Sequence, residues 1–318
     1  MFRIFSIALL LAAACSISFA AVDSNLLALA PSESRVVAAI NVDGSRNSAF
    51  GQFLLRQLSL HDDSFGEMIE QTGFDPRRDV QSLLLAGAPS ETAGGQSRFA
   101  VIARGNFDVN RIKTAAQKKG SVIQRFAGVD LLVGSNKGNE QTALAFPDVD
   151  LAVMGDLLSV KQVIQNRANP SNLDSALQEQ ISKIGANDAW FASILPPAFL
   201  GANLDSDLKN STGKSQALQS VVRSSGGINF GNTSSLVFNA VTRSAKDATA
   251  LADVIRFITS MVQMQRQSDA RVASLAPALD AMKLDVAGQS VHLSVELPES
   301  TLEQLTKAPG KPAPATTR

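Results

Sequence analysis

Histidine and acidic side chains are the residues of this chain whose types could support chemistry, and they fall into four short groups. His61, Asp62 and Asp63 stand together, with Glu67 four positions further on. Imidazole and carboxylate groups can ligate a divalent metal. The same residues lie between two predicted helices, where Asp63 is placed to cap a helix that begins at Ser64. The helix-cap interpretation is favoured, because connections between helices are ordinarily polar.

The second group has the residue types of a serine–histidine–acid triad. His292, Ser294 and Glu296 alternate along one predicted strand, Ser290 to Leu297. Side chains two positions apart on a strand are parallel and about 7 Å apart, whereas a triad must converge on one path of proton transfer. A solvent-facing interpretation is therefore favoured, and no catalytic residue is assigned.

The third group consists of the charged residues Asp75, Arg77, Arg78 and Asp79. They could bind an anion or a partner, but alternating charges around a proline ordinarily mark a solvated turn.

The fourth group, Asp148, Asp150 and Asp156, is the other dense cluster of acids. Carboxylates can serve as general acids and bases, so an exported carboxylate-dependent hydrolase stays open as an alternative function.

Composition excludes several classes of site. The chain has two histidines, one cysteine, one tryptophan and no tyrosine, which leaves too few ligands for a metal site of His and Cys and too few rings for a Trp/Tyr stacking platform. Its formal net charge is zero, so neither nucleic acid nor an anionic membrane surface is indicated as a partner. No G-x-G-x-x-G or Walker loop is present, and no cofactor is predicted.

The N-terminus has the pattern of a bacterial export signal. Arg3 supplies the positive charge, and Phe5 to Ala14 is an apolar run too short for a comfortable membrane span. Cleavage is predicted between Ala20 and Ala21, with an uncleaved anchor as the alternative. This predicts a periplasmic or secreted protein without a membrane span in its mature chain.

Cys15 offers a second way to process this segment. Small residues precede it, as in the cleavage box of a lipoprotein, although Ala12 stands where such boxes favour leucine. Lipidation at Cys15 would give a lipid-anchored envelope protein. If cleavage follows Ala20 instead, the mature chain has no cysteine and no disulfide.

The stretch from Gln96 to Gly120 predicts a buried strand, a tight turn and a helix. Arg98 to Arg104 is mostly apolar and is bounded by glycines, and Asp108 can cap the helix that follows. The helix has an apolar stripe made of Ile112, Ala115 and Ala116.

Similar units recur along the chain in the same order. Each half has a buried strand, a strand pair with a glycine-containing loop, a helix and closing strands. The matched segments are Arg35–Val42 with Ala189–Leu195, Val80–Arg104 with Gly226–Arg243, Val109–Lys119 with Lys246–Gln267, and Val122–Val133 plus Thr142–Met154 with Leu284–Leu297. The pattern predicts an α+β protein of two similar two-layer sandwiches, each a mainly antiparallel sheet covered by helices, and indicates an internal duplication.

Domain boundaries follow from this order. We predict a signal peptide at 1–20, a first α+β lobe at 21–170, a second α+β lobe at 171–306 and a disordered tail at 307–318. The boundary between the lobes lies in the turn sequence Asn169-Pro170-Ser171-Asn172. The helix Lys246–Gln267 covers its own sheet in the favoured interpretation, although its far end could form a homodimer.

Two segments resemble uncharacterised exported bacterial proteins with duplicated α/β units. They are FDVNRIKTAAQKKG and FPDVDLAVMGDLLSVKQVI, within Phe99 to Ile164. The resemblance implies the duplicated fold and carries no activity.

The sequence thus predicts an exported, non-enzymatic envelope protein that binds a protein or an envelope component. The alternatives are the hydrolase and a carrier that holds a small apolar molecule between its lobes.

Overall fold

The computed structural model describes residues 24–48, 51–52, 63–90, 97–135, 141–195, 212–231, 233–264 and 270–298. Within these ranges the chain forms twelve strands and ten helices. The strands are β1 (Val36–Asn41), β2 (Val80–Ala88), β3 (Arg98–Gly105), β4 (Val122–Phe126), β5 (Val129–Ser135), β6 (Gln141–Asp148), β7 (Leu151–Asp156), β8 (Ala189–Ser193), β9 (Val221–Asn229), β10 (Thr233–Thr242), β11 (Lys283–Ala287) and β12 (Ser290–Pro298). The helices are α1 (Ser24–Leu27), α2 (Val42–Arg46), α3 (Asp63–Thr72), α4 (Pro76–Asp79), α5 (Val109–Lys118), α6 (Leu157–Asn166), α7 (Ser175–Ile184), α8 (Thr212–Gln219), α9 (Ala245–Met264) and α10 (Ala270–Ala281).

All twelve strands belong to one sheet, in the order β11-β12-β10-β9-β8-β1-β2-β3-β7-β6-β5-β4. Every neighbouring pair is antiparallel. The predicted α+β class and the antiparallel character of the sheet are therefore confirmed.

The pairing of β1 with β8 makes the sheet continuous across the two predicted lobes. Val37 lies opposite Ala192, and Ala39 lies opposite Trp190. The sequence predicted two separate sheets, and the structure differs because the first strand of each half is apolar on both faces and pairs with its counterpart. An unpaired strand edge in each half is avoided in this way.

One face of the sheet carries the main core, and we call it the packed face. Its central side chains include Leu84, Ile102 and Val153, which are fully buried. Helices α1, α6 and α7 supply the opposing side chains. These are Leu26, Val160, Val163, Ile164, Leu177, Ile181 and Ile184. On α6 the buried positions Val160, Val163 and Ile164 recur at helical spacing and face the sheet.

The opposite face is covered by different helices at its two ends. At one end α9 packs Ala248, Leu251 and Ala252 against Ala240 and Val291. At the other end α3 and α5 lie over β2, β3, β7 and β6. We call this second face the pocket face, because it contains the cavity described below.

Gly226 allows two aromatic rings to meet near the middle of the pocket face. A Cβ atom at Gly226 would lie 2.7 Å from Cε1 of Phe191. Without that atom, Phe191 and Phe238 approach to 6.2 Å between ring centroids. Their strands flank β9, so the contact passes over the glycine.

Candidate functional site

Strands β2, β3, β7 and β6 form the floor of an apolar pocket. Leu83 lies opposite Ala103, which in turn lies opposite Ala152. Val101 lies opposite Met154, which lies opposite Leu144. These side chains share the pocket face because neighbouring residues in antiparallel register project to the same side.

Helix α5 forms the roof. Asp108 begins it, because its Oδ1 atom accepts the backbone N–H of Arg111 at 3.0 Å. Three lining residues, Ile112, Ala115 and Ala116, then follow at helical spacing. The apolar stripe predicted from the sequence therefore faces the pocket.

A second helix, α3, closes the adjoining side and is fastened to α5. The Arg111 guanidinium donates to the backbone carbonyl of Glu70 at 2.8 Å and to that of Gln71 at 3.1 Å. Gly73 ends α3 with a φ of +72°, and a Cβ atom there would lie 2.7 Å from Arg111 Nη1. Glycine thus permits both the left-handed backbone and the close passage of the arginine.

Lys113 fastens the other flank of α5 to the sheet. Its ammonium group lies 3.0 Å from Oδ2 of Asp130 on β5. The hydrogen bond and the charge of Lys113 lower the pKa of the Asp130 carboxyl. Helix α5 is therefore held over the sheet from both sides, and small residues beneath it leave space.

Three phenylalanine rings close one end of the pocket. The centroids of Phe74 and Phe107 are 5.6 Å apart, and those of Phe107 and Phe146 are also 5.6 Å apart. Tilted rings at this separation attract one another. Nothing in the local sequence pattern brings these three rings together, because they come from separate parts of the chain.

The pocket has a volume of about 490 Å³. Seventeen described residues line it, and only Gln71, Thr72 and Lys119 among them have polar side chains. This composition suits an apolar guest and provides no pair of acid–base groups for a reaction.

The predicted turn at Asp75 is the short helix α4, which borders the pocket at Pro76. Oδ1 of Asp75 accepts the Arg77 backbone N–H at 3.0 Å and the Arg77 side chain at 2.9 Å. Arg78 pairs in the same way with Asp79 at 2.7 Å. The side-chain bond from Arg77 lowers the pKa of Asp75, and the bond from Arg78 lowers the pKa of Asp79. The four charges stabilise this helix and pair with each other.

The acids of the hydrolase alternative are dispersed by their contacts. Asp148 accepts two hydrogen bonds from Arg167, both 2.8 Å long. Asp150 pairs with Arg104 at 2.6 Å. Asp156 caps α6 and accepts the backbone N–H of Phe99 at 2.7 Å. Each of these three carboxylates thus serves a different structural contact.

The triad-like group on β12 is likewise not assembled. Nδ1 of His292 lies 2.6 Å from Oδ1 of Asn239, its cross-strand neighbour on β10. Ser294 and Glu296 lie opposite Val237 and Ser235 instead.

Several predicted sites lie outside the described residues. These are Cys15, Ala20, Ala21, His61 and Asp62, together with the signal peptide and the tail. Among the described residues, no three His, Cys, Asp or Glu side chains are grouped so that they could hold a metal. The described helices also include none that is both long enough and apolar enough to cross a bilayer.

Comparison with known proteins gives one structural likeness. No protein-family model matches the chain, and no curated protein matches it. Among solved structures, the chain is similar to one titled "Structure of crystal form I of TP0453", with a TM-score of 0.48 and 11% sequence identity. The match covers 90% of this chain and 98% of that chain.

Proposed function

We propose that this chain is an exported envelope protein that binds a small apolar molecule in the pocket beneath α5. It holds and releases the molecule and does not transform it. Of the functions considered from the sequence, this is the apolar carrier, with its binding site inside the first half of the chain instead of between the lobes.

The lining of the pocket is the observation that carries the proposal. A cavity of about 150 Å³ with apolar walls is enough to bind benzene, and the volume here is 490 Å³. A pocket with apolar side chains on the floor, on the roof and at one end gains free energy when an apolar guest replaces water.

Calorimetric titration with straight-chain 1-alkanols of increasing length tests the proposal. Burial of each methylene contributes about 0.8 kcal/mol, so affinity should rise about fourfold with each added carbon. The rise should stop when the chain outgrows the pocket. Heat that never saturates at any chain length would contradict the proposal.

A matched pair of variants locates the binding. Ala116→Trp places a large ring in the pocket, because Ala116 lines it. Gln117→Trp places the same ring on the exposed side of the same helix. We expect the first variant to lose alkanol binding and the second to keep it. Equal affinities in the two variants would locate the binding elsewhere.

Export is part of the proposal and has its own test. The signal-like sequence pattern at the N-terminus supports it. The mass of the protein recovered from the envelope of expressing bacteria distinguishes the two predicted ways of processing. We expect a mature chain that begins at Ala21. A mature chain that begins at a lipid-modified Cys15 would instead indicate a protein anchored to the envelope by its lipid. An intact Met1 in the cytoplasm would contradict both.

We also infer that the two halves arose by internal duplication. Counted outward from the β1–β8 pair, one side runs β1, β2, β3, β7, β6 and the other runs β8, β9, β10, β12, β11. Helices α5 and α9 directly follow β3 and β10, the third strand on each side. Superposition of these five strands and one helix of each half tests the inference, and a mismatch in the crossing of the two helices would contradict it.

A further inference from the structure

A polar cleft runs along α5 and adjoins the apolar pocket near the C-terminal end of that helix. The two cavities share Gln71, Ala115 and Lys119. The cleft has a volume of about 970 Å³ and is open to solvent. Its other described lining residues are Asp108, Asn110, Arg111, Thr114 and Lys118. A molecule seated at Lys119 can therefore extend into both cavities.

The cleft is positively charged. Arg111, Lys118 and Lys119 contribute three positive charges, and Asp108 contributes one negative charge. The described lining of the cleft therefore has a formal net charge of +2. Within the described part of the chain, neither lysine ammonium group forms an ion pair. The end of a helix carries about half a negative charge from its free carbonyl groups, and the two lysines outweigh it.

We propose that the natural ligand is a single-chain amphiphile with an anionic head, and specifically a long-chain carboxylate. Its chain lies in the apolar pocket, and its carboxylate lies in the cleft beside the ammonium group of Lys119. This assignment rests on the proposed function, because it requires that the pocket bind an apolar chain.

The size of the pocket favours one chain. The volume of 490 Å³ is about three times the cavity that holds the six carbons of benzene. That is room for roughly eighteen carbon atoms, which is enough to hold one long chain and too little to enclose both chains of a diacyl lipid. The charge of the cleft then selects the head group.

Three ligands with one chain and different heads test the assignment. Decanoate, 1-decanol and decyltrimethylammonium are titrated below the concentrations at which they form micelles. An exposed pair of opposite charges is worth up to about 1 kcal/mol, so decanoate should bind about fivefold more tightly than the alcohol. The cation should bind more weakly than the alcohol. High salt should remove these differences by screening.

Substitutions at Lys119 locate the head group. Lys119→Gln should weaken the preference for decanoate over decanol, and Lys119→Glu, which leaves the described lining of the cleft with no formal net charge, should abolish it. The matched control is Lys246→Gln on α9, which makes the same change in net charge on an exposed residue that lines neither cavity. We expect the control to keep the preference of the unmodified protein.

The outcomes separate this assignment from the proposed function. Equal binding of decanoate and decanol, or an unchanged preference in Lys119→Glu, overturns the anionic head while the apolar pocket stands. Failure of all three ligands overturns both. Tight binding of a dispersed diacyl phosphatidylglycerol without binding of decanoate overturns the single-chain assignment.

Discussion

The two faces of the central sheet are made of similar residues but are covered in different ways. On the packed face, Leu84 and Ile102 belong to one buried cluster with large side chains of α6 and α7, and both are fully buried. On the pocket face, α5 presents Ala115 and Ala116 to the sheet, and a cavity remains. In these two regions the strands are similarly apolar, and the difference lies in the size of the side chains that the covering helix presents to them.

The largest expected contrast between the faces comes from two adjacent leucines of β2. Leu84→Ala creates a cavity in a filled core and should lower the free energy of unfolding by about 2–5 kcal/mol. Leu83→Ala enlarges a space that already exists, and we expect a loss smaller by at least about 1 kcal/mol. Urea unfolding monitored by circular dichroism measures both, and equal losses would contradict the contrast.

Substitutions that enlarge a side chain should be tolerated on the pocket face and destabilising on the packed face. Ala100 is fully buried on the packed face of β3, so Ala100→Leu forces neighbours apart and should lower stability by about 1–3 kcal/mol. Ala152 lines the pocket, and Ala152→Leu should be neutral or stabilising while it weakens alkanol binding. Thermal unfolding and titration of both variants measure the effect. A destabilised Ala152→Leu variant with unchanged binding would show that the space is not available to a guest.

A smaller effect should separate backbone strain from the contact between α3 and α5. Gly73 and Gly120 both have positive φ angles, of 72° and 92°, but only at Gly73 would a Cβ atom approach Arg111. Each Gly→Ala change should cost about 1 kcal/mol for the backbone, and Gly73→Ala should cost more because the arginine must move.

The excess at Gly73 is measured by a double-mutant cycle with Arg111→Met. In the methionine background, Gly73→Ala and Gly120→Ala should be equally destabilising in urea unfolding. If Gly73→Ala still costs more unfolding free energy than Gly120→Ala after Arg111 is replaced, the additional cost comes from the turn and not from the arginine.

The smallest expected effect concerns pH and the helix that borders the pocket. The pKa of Asp75 is lowered from its ordinary value of 3.8, mainly by the side-chain bond from Arg77. A lowered pKa in the folded state contributes stability above the unfolded pKa, and that stability is lost as the pH falls through the folded value. Asp75→Asn should therefore flatten the decline in unfolding free energy between about pH 4 and pH 2. An Asp174→Asn variant, with a cap remote from the pocket, serves as the control.

The sequence was sufficient for the elements that surround the pocket but not for the pocket. The apolar run of β3, the Asp108 cap and the stripe of α5 are local patterns, and each forms as predicted. Whether the stripe touches the sheet depends on how Arg111 and Lys113 hold the helix, and their partners, Glu70, Gln71 and Asp130, are distant in sequence. The meeting of Phe74, Phe107 and Phe146 is equally non-local.

The continuity of the sheet was unpredictable for a related reason. An apolar strand such as β1 indicates burial on both faces, but it does not specify the partner at each edge. The pairing of β1 with β8 depends on two strands recognising each other across the whole first half of the chain.

That pairing has a consequence for how the protein is made. During synthesis the segment Val36–Asn41 leaves the ribosome long before Ala189–Ser193. One edge of this short, apolar β-strand therefore stays unpaired until β8 has been made. Such an edge readily recruits other nascent chains, and pairing over a long sequence separation is slow. Efficient production of this protein should therefore depend on a holding chaperone that shields β1 until the second half of the polypeptide arrives.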